Sequence, residues 1–331
     1  MMAQPRPYTT RWVNAESQPT IRGGCKLMML QTKRSDQATV EAKTRKFTQK
    51  RGLWADAWMG LRKNTTAVIG MVMLAAILLI CLSAPLFINY EDDVVKVNIG
   101  ERLKFPAEGR LLGTDELGRD VFARVIWGGR NSLFVGIASV VFASVIGTAL
   151  GAIAGYYGNK LDSWIMRGLD VFMAIPSMLL MITLVSIMSP TVLNLTFAIG
   201  IGFIPGLARL IRAQVLKIKD LEYVDAVRAE GASDLRVIML HVLPNAISPI
   251  ISSFVMHIPG GIMTISGLSF IGLGVQPPNP EWGAMLSSGR AFIRDSWHIT
   301  AFPGIAIVIT IIALTLVGDG LRDALDPRMK G

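Results

Sequence analysis

Residues 64–90 read NTTAVIGMVMLAAILLICLSAPLFINY, an apolar stretch without a charged side chain. All 33 basic and 24 acidic residues of the chain lie outside this stretch and four others like it, at residues 131–159, 171–208, 237–280 and 296–318. A bilayer core is crossed by about 20 apolar helical residues, and a charge at its centre costs about 3 kcal/mol or more. The pattern therefore predicts an all-α integral membrane protein.

The lengths of the stretches set the number of spans. Residues 64–90, 131–159 and 296–318 have the length of one span each. Residues 171–208 are long enough for two helices, and Ser189-Pro190 predicts the break between them, with spans at 171–188 and 191–208.

Residues 237–280 leave two topologies open, because they hold either one bent span with an outer loop or two spans. The run Gln276-Pro277-Pro278-Asn279-Pro280 ends any helix. Pro259-Gly260-Gly261 is more typical of a bend in one long helix than of a turn between two. We therefore expect one span here and six in total.

The distribution of lysine and arginine predicts the orientation. With six spans and a cytoplasmic N-terminus, 24 basic residues lie inside and nine outside, as the positive-inside rule requires. Both termini are thus expected in the cytoplasm. The net charge of +9 is explained by this flank facing anionic lipid, and no aromatic-basic motif indicates nucleic acid. Cys25 lies in the tail and Cys81 inside the first span, so the two are not expected to meet and no disulfide framework is predicted.

The predicted organisation has five parts. They are a basic cytoplasmic tail at 1–63 with a short interfacial helix near 53–62, a first span at 64–90, an external cap at 91–130, a core at 131–318 with a cytoplasmic loop at 209–241, and a cytoplasmic tail at 319–331. A loop anchored by Trp54 and Trp58 is the alternative to the interfacial helix. We also hypothesise that residues 1–27 are not translated, because Arg22-Gly23-Gly24 before Met28 matches an encoded ribosome-binding site.

Residues able to carry chemistry are sparse. His241, His257 and His298 stand without metal-ligand spacing, and residues 155–160 resemble a phosphate-binding loop only with the wrong spacing. No carboxylate lies deep in a span, as ion-coupled carriers usually require, and Asp170 is expected to interact with head groups or Arg167. The chain is therefore expected to hydrolyse no ATP itself, and transport would draw its energy from another polypeptide.

Two sets of span residues invite a packing interpretation. Gly147, Gly151 and Gly155 are four apart, which predicts a close helix contact. Methionines of the 171–208 stretch either pack or line an adaptable pathway; they are Met173, Met178, Met181 and Met188.

The longest cytoplasmic segment carries the most specific motif. Residues 223–234 read YVDAVRAEGASD and are followed by HVLPN at 241–245. Small residues here allow a short helix to approach another surface closely, and Gly231 ends or kinks it. An ordinary amphipathic connector is the alternative.

This segment resembles the EAA signature of ABC importer permeases, E-A-A-x-x-x-G followed by I-x-L-P. Three departures are Asp225 for Glu, Val227 for the second Ala, and His241 where Ile is common. Three further blocks, at 112–124, 268–278 and 318–327, resemble the dipeptide, oligopeptide and nickel permease family of the C subunit type.

The resemblance implies a type I ABC importer permease fold in a bacterial or archaeal cytoplasmic membrane. The implied partners are a homologous permease of the B type, two ATP-binding subunits, an external solute-binding protein and membrane lipid. ATP and Mg²⁺ would sit on the partner subunits, and this chain would bind no cofactor or metal. The implied contacts to the ATPase are Tyr223, Asp225, Ala226, Val227, Arg228, Gly231, Ala232, Leu243 and Pro244.

The resemblance also implies an outer site that meets the binding protein, although a purely structural cap is equally compatible with each residue. The implied residues are Thr114, Asp115, Gly118, Arg119 and Asp120, with Gln276, Pro277, Pro278 and Trp282 in a later loop. Peptides are the expected cargo. Nickel chelates, glutathione and opine-like or sugar-like solutes stay open, and an ion-coupled carrier is a less favoured alternative.

Overall fold

The structure is a computed structural model that describes residues 53–325. Regular secondary structure in this part of the chain is helical, without strands. The helices are α1 (Leu53–Lys63), α2 (Thr65–Phe87), α3 (Val121–Tyr157), α4 (Asn159–Ala174), α5 (Ser177–Ile187), α6 (Val192–Ile218), α7 (Glu222–Ala229), α8 (Asp234–Phe270), α9 (Trp282–Gly289) and α10 (His298–Leu325). The predictions for residues 1–52 and 326–331, including the hypothesis on translation, lie outside the described residues.

The membrane-crossing elements agree with the six predicted spans. Five helices, α2, α3, α6, α8 and α10, are long and apolar enough to cross a bilayer. The pair α4 and α5, bent by 86°, brings the number to six when it is counted as one broken span.

The third span is not the single helix predicted over residues 171–188. It breaks at Ile175-Pro176, between α4 and α5. Proline lacks the N–H needed for the helical ladder and forces the preceding residue out of helical geometry. Ile175 accordingly has φ −90° and ψ 128°, which is extended backbone. The predicted break near Ser189-Pro190 is confirmed, because α5 ends at Ile187 and α6 begins at Val192.

Several helices extend beyond the charge-free stretches that predicted them. Helix α3 begins at Val121, so the external cap ends about ten residues earlier than expected; α6 continues to Ile218, and α10 continues through the predicted tail to Leu325. The segment 209–241 is consequently mostly helical and not a loop. Absence of charge measures the thickness of the apolar layer, whereas the helical hydrogen-bond ladder tolerates charged residues once it reaches water.

Helix α8 is one continuous span, as predicted. Pro249 and Pro259 both lie inside it, and the helix ends at Phe270, ahead of the proline-rich run. Gly272 lies just beyond this end with φ 87°, a conformation that favours glycine after a helix.

The predicted glycine contact is confirmed and joins α3 to α6. A Cβ atom added at Gly151 would stand 2.4 Å from the carbonyl oxygen of Ala208, and one at Gly155 would stand 2.9 Å from Val215. Helix α3 therefore approaches the backbone of α6 at Gly151 and the Val215 side chain at Gly155, closer than a larger residue would allow. The methionines divide: Met181 is buried, whereas Met173 and Met178 are about half exposed.

Helix α1 confirms the short helix predicted near residues 53–62, and it packs against the end of α10. Ala57 and Leu61 are buried, and a Cβ at Gly60 would lie 2.7 Å from that of Ala324. Trp58 is half exposed beneath the Arg62 guanidinium, 4.7 Å from the ring centre.

Candidate functional site

Helix α7, the centre of the predicted ATPase contact, packs against α6 and α8 mainly through Val224, with the half-buried Val227 beside it. Val224 is fully buried and packs in a cluster with Ile211, Val215 and Val237. Residues on the opposite side of α7 are exposed, among them Asp225 and Ala226. The helix thus has one face fixed to the spans and one face available to a partner.

Polar contacts also attach α7 to the end of α3. Arg228 donates from Nε to the Tyr156 hydroxyl at 3.3 Å, its guanidinium lies 4.9 Å from the Tyr156 ring centre, and its Nη1 pairs with Asp225 at 3.0 Å. The Tyr156 hydroxyl in turn donates to Asp234 at 2.9 Å, at the start of α8. The hydrogen bond to Tyr156 raises the pKa of Arg228, so this side chain stays cationic. One arginine therefore links α7, α3 and α8.

The other predicted contact residues surround α7. Tyr223 donates its hydroxyl proton to the His241 carbonyl at 3.3 Å, and burial raises the pKa of this phenol. Gly231 has φ 83° with open space around it, so its backbone conformation is special while its surroundings are not crowded. Val227, Ala232 and Leu243 are half-buried.

Pro244, which lies in the first part of α8, is exposed. Exposed apolar side chains nearby were not identified from the sequence; they are Leu221, Leu235, Met239 and Leu240. Their apolar character in a segment rich in charged residues is the sequence feature that could have identified them.

On the opposite, outer side, three charged residues of the 112–124 block (the outer block) form a buried cluster. Asp115 pairs with Arg119 at 2.7 Å and with Arg124 at 3.3 Å, and all three side chains are at most 8% exposed. Arg119 also reaches Glu116 at 3.2 Å, and Arg124 donates to the Val94 carbonyl at 2.8 Å. Arg124 belongs to the outer block but is not among the predicted site residues.

The remaining predicted residues of the outer block also have internal partners. Thr114 is fully buried, accepts the Lys104 N–H at 2.9 Å and donates to the Glu101 carbonyl. Asp120 accepts the Ala123 N–H at 3.1 Å, which caps α3, and pairs with Arg110 at 3.0 Å. Gly118 has φ 74°, and a Cβ there would fall 1.8 Å from the Asn98 carbonyl oxygen. Thr114 and Asp120 thus have partners inside the block, and Gly118 allows the backbone at Asn98 to approach closely.

The later outer loop, at residues 276–282, contains both exposed and buried predicted residues. Gln276, Pro277 and Pro278 are exposed. Trp282 is 2% exposed and donates its ring N–H to the Val125 carbonyl at 2.8 Å, so it fixes α9 to α3 and is not itself on the surface. Tyr90, after the first span, donates to Asn279 at 2.8 Å and ties the loop to the outer end of α2.

Glu281 is a buried acid that sequence reasoning missed. Glu281 directly follows a charge-free stretch, and the sequence predicts it in the outer loop. In the structure its side chain is fully buried. Ser132 donates to one carboxyl oxygen at 2.8 Å and the Ala284 N–H to the other at 2.9 Å. No cation pairs with it in the described part of the chain. Burial raises the pKa of this carboxyl.

The raised pKa predicts a pH-dependent stability. The folded state holds the Glu281 proton more tightly than the unfolded state, whose pKa is near 4.5. This contribution is complete below that pH and is lost as the pH rises through the folded pKa, at up to about 1.4 kcal/mol per pH unit. Glu281→Gln cannot titrate, so the stability of the native chain minus that of the variant should fall with rising pH. Unfolding of both proteins in detergent from pH 5 to 8 measures this difference, and a constant value would contradict the prediction.

Comparison with known proteins gives the family. The model of the "binding-protein-dependent transport system inner membrane component" family matches residues 147–331, and that of the "N-terminal TM domain of oligopeptide transport permease C" matches residues 52–106. The dipeptide transport system permease protein DppC of Alkalihalophilus pseudofirmus is 40% identical over 277 residues, covering 84% of this chain and 90% of that protein. The glutathione transport system permease protein GsiD of Pectobacterium atrosepticum is 41% identical over 281 residues, covering 84% and 92%.

A solved structure gives the same architecture. An inward-facing form of the MetNI methionine ABC transporter matches with a TM-score of 0.51 at 18% identity, covering 61% of this chain and 96% of the matched one. The chain therefore shares the fold of the matched chain of that transporter. Five helices can cross a bilayer, and a family model matches more than half of the chain. This chain therefore belongs to the binding-protein-dependent transport system inner membrane components, as a multi-pass membrane permease.

Proposed function

We propose that this chain is the permease subunit of an ATP-driven importer that moves di- or oligopeptides delivered by an external solute-binding protein. The observation that carries the substrate class is the 40% identity to a dipeptide permease over most of both chains. The proposed assembly adds a homologous B-type permease and two ATP-binding subunits. ATP and Mg²⁺ belong to those subunits, so this chain performs no catalysis and binds no cofactor.

In this proposal α7 transmits the motion of the ATPase to the spans. Its exposed face, with Asp225 and Ala226, meets the ATPase, while Val224 and Arg228 fix its other face to α3, α6 and α8. Because α7 is linked to three membrane helices, displacement of α7 would tilt them together. Binding of ATP and of the loaded binding protein must then favour the outward-facing state over the inward-facing one for the cycle to run.

The outer loop supplies the proposed contact to the binding protein. Gln276, Pro277 and Pro278 are exposed there, and the buried Trp282 and Glu281 hold the loop in place. This arrangement requires the termini and α7 on the cytoplasmic side, which is the orientation that the count of basic residues favours.

Glutathione is the second candidate cargo, favoured by the 41% identity to a glutathione permease. Both cargoes are short peptides or peptide-like, so the same uncharged spans suit either. The binding protein is expected to make most of the distinction.

The decisive experiment is uptake into proteoliposomes that contain the complete transporter and its binding protein. We expect accumulation of a labelled dipeptide that requires ATP and the binding protein, with glutathione in a parallel assay to rank the two cargoes. Uptake driven by a proton gradient without ATP would reject the proposal in favour of an ion-coupled carrier. ATP-dependent uptake of neither peptide would reject the substrate class and leave the importer class standing.

A further inference from the structure

A basic groove lies along the first half of α4, away from the residues assigned above. It encloses about 790 Å³ and is lined by Asn159, Lys160, Ser163, Trp164 and Arg167. Positions 160, 163, 164 and 167 are spaced by three and four residues, so they share one face of the helix. Trp164 is 76% exposed on this face, an unusual position for so large an apolar ring.

The positive charge of this groove is not neutralised within the described part of the chain. Helix α4 carries two acids, and α6 arginines pair with both: Asp162 with Arg212 at 2.5 Å and Asp170 with Arg209 at 2.6 Å. The expected pairing of Asp170 with Arg167 is therefore wrong, because Arg209 of α6 takes that place. Lys160 and Arg167 consequently form no ion pair among residues 53–325.

A third cation borders the groove. The Lys219 amine lies 3.6 Å from where a Cβ at Gly158 would stand, next to Asn159, and it too has no ion pair in the described residues. The hydroxyl of Ser163 is already used, since it donates to the Asn159 carbonyl at 3.0 Å. Ligand recognition at this site is therefore cationic, with the Asn159 amide as an additional donor.

The groove lies at the boundary of the apolar layer. The charge-free stretch at residues 131–159 ends at Asn159, where α4 begins, and the half-exposed Tyr157 ends α3 two residues earlier. Exposed tryptophan and tyrosine are typical of the head-group region, and basic pockets on the cytoplasmic side of membrane helices attract anionic head groups. Lysine and arginine are both suited to phosphate, the latter through paired N–H donors.

We propose that this groove binds the phosphate head group of an anionic phospholipid. Lys160 and Arg167 contact the phosphate, and Trp164 packs where the glycerol meets the acyl chains. The site is independent of the proposed cargo and uses the proposed orientation only to place the lipid in the inner leaflet. A soluble anion would satisfy the two cations but would leave the exposed Trp164 ring in water, so lipid is the occupant that accounts for all three side chains.

The test is lipid binding to the purified transporter that contains the full chain. Phosphatidylglycerol is titrated into phosphatidylcholine nanodiscs, and retained lipid is counted by native mass spectrometry. Lys160→Gln/Arg167→Gln should bind phosphatidylglycerol roughly 25-fold more weakly, from about a factor of five per cation. Because both side chains are exposed, folding should be unchanged. Trp164→Ala should also weaken retention, which a purely electrostatic surface would not require.

The matched control is Arg290→Gln/Arg294→Gln, which removes the same charge from two exposed arginines near α9. It should leave retention within twofold of the native chain. Equal losses in both double variants would overturn the proposal, since they would indicate unspecific attraction. Displacement of the lipid by millimolar inorganic phosphate would assign the site to a free anion and would also overturn it. So would unchanged lipid retention combined with loss of the ATP-binding subunits, which would make the groove a protein contact.

Discussion

Replacing Asp115 by alanine should destabilise the folded chain by about 3–5 kcal/mol, because it removes the only carboxylate that Arg119 and Arg124 share inside the outer block. Among residues 53–325, Arg124 then keeps no ion pair, and both guanidinium groups stay buried. The backbone N–H groups of Leu117 and Arg119, which donate to Asp115 at 2.9 Å, lose their acceptor as well. The apparent unfolding temperature in detergent should fall by roughly 10 °C.

A matched control exists on the surface of the same outer segment. Asp92 pairs with Lys96 at 3.2 Å, also four residues apart, but the two side chains are 59% and 69% exposed. Asp92→Ala should cost less than about 1 kcal/mol, because water screens an exposed pair. Asp115→Asn keeps a side-chain oxygen that can accept the Leu117 and Arg119 N–H groups but loses the charge. Its loss of stability should therefore lie between those of Asp115→Ala and Asp92→Ala. An Asp115→Ala chain as stable as Asp92→Ala would show that the buried cluster does not hold the outer block.

This prediction bears on the predicted role of the outer block. The sequence placed Thr114, Asp115 and Arg119 at a contact with the binding protein, whereas the structure gives each of them buried partners within the chain. Loss of uptake in such variants would therefore report a misfolded outer segment. Direct contact is better tested at Gln276 and Pro278, whose side chains are exposed.

The spans were predictable because exclusion of charge from lipid acts on every residue of a crossing. Which proline would break a helix was not. Pro85, Pro205 and Pro303 all lie inside continuous helices, while Pro176 separates α4 from α5. Neighbouring helices and small adjustments re-satisfy the backbone groups that a proline frees, and that depends on packing that no local pattern encodes.

The same limit separates the predictable and unpredictable parts of the site. The position of α7 followed from a local motif, because the small residues of a short helix and the glycine after it are close together in the sequence. Its attachment did not, since Arg228 bonds to Tyr156, 72 positions away. Glu281 and Ser132 are 149 positions apart, and a glutamate after a proline looks like an ordinary loop residue until the fold buries it.

Replacing Ala226 by tryptophan should lower the rate of ATP-driven uptake at least tenfold, while the chain stays inserted in the membrane and stable. Ala226 is exposed on α7 and no internal contact depends on its methyl group, so the fold can accept the larger side chain. A partner that approaches this face closely cannot, because overpacking a fitted contact costs about 1–3 kcal/mol or more. Co-purification of the ATP-binding subunits and uptake in proteoliposomes measure the two effects separately.

Ala55→Trp is the matched control, since Ala55 is also exposed on a short helix, α1, and is expected on the same side of the membrane. It should retain both association and uptake.

A second pair of variants tests the end of α7 by backbone geometry alone. Proline cannot adopt the φ of 83° at Gly231, so Gly231→Pro must displace α7, whereas Gly231→Ala meets open space and bears only a strain of about 1 kcal/mol. Uptake should therefore be lost in the first and largely kept in the second. Normal ATPase association and uptake in both Ala226→Trp and Gly231→Pro would rule α7 out as the element that couples nucleotide to transport.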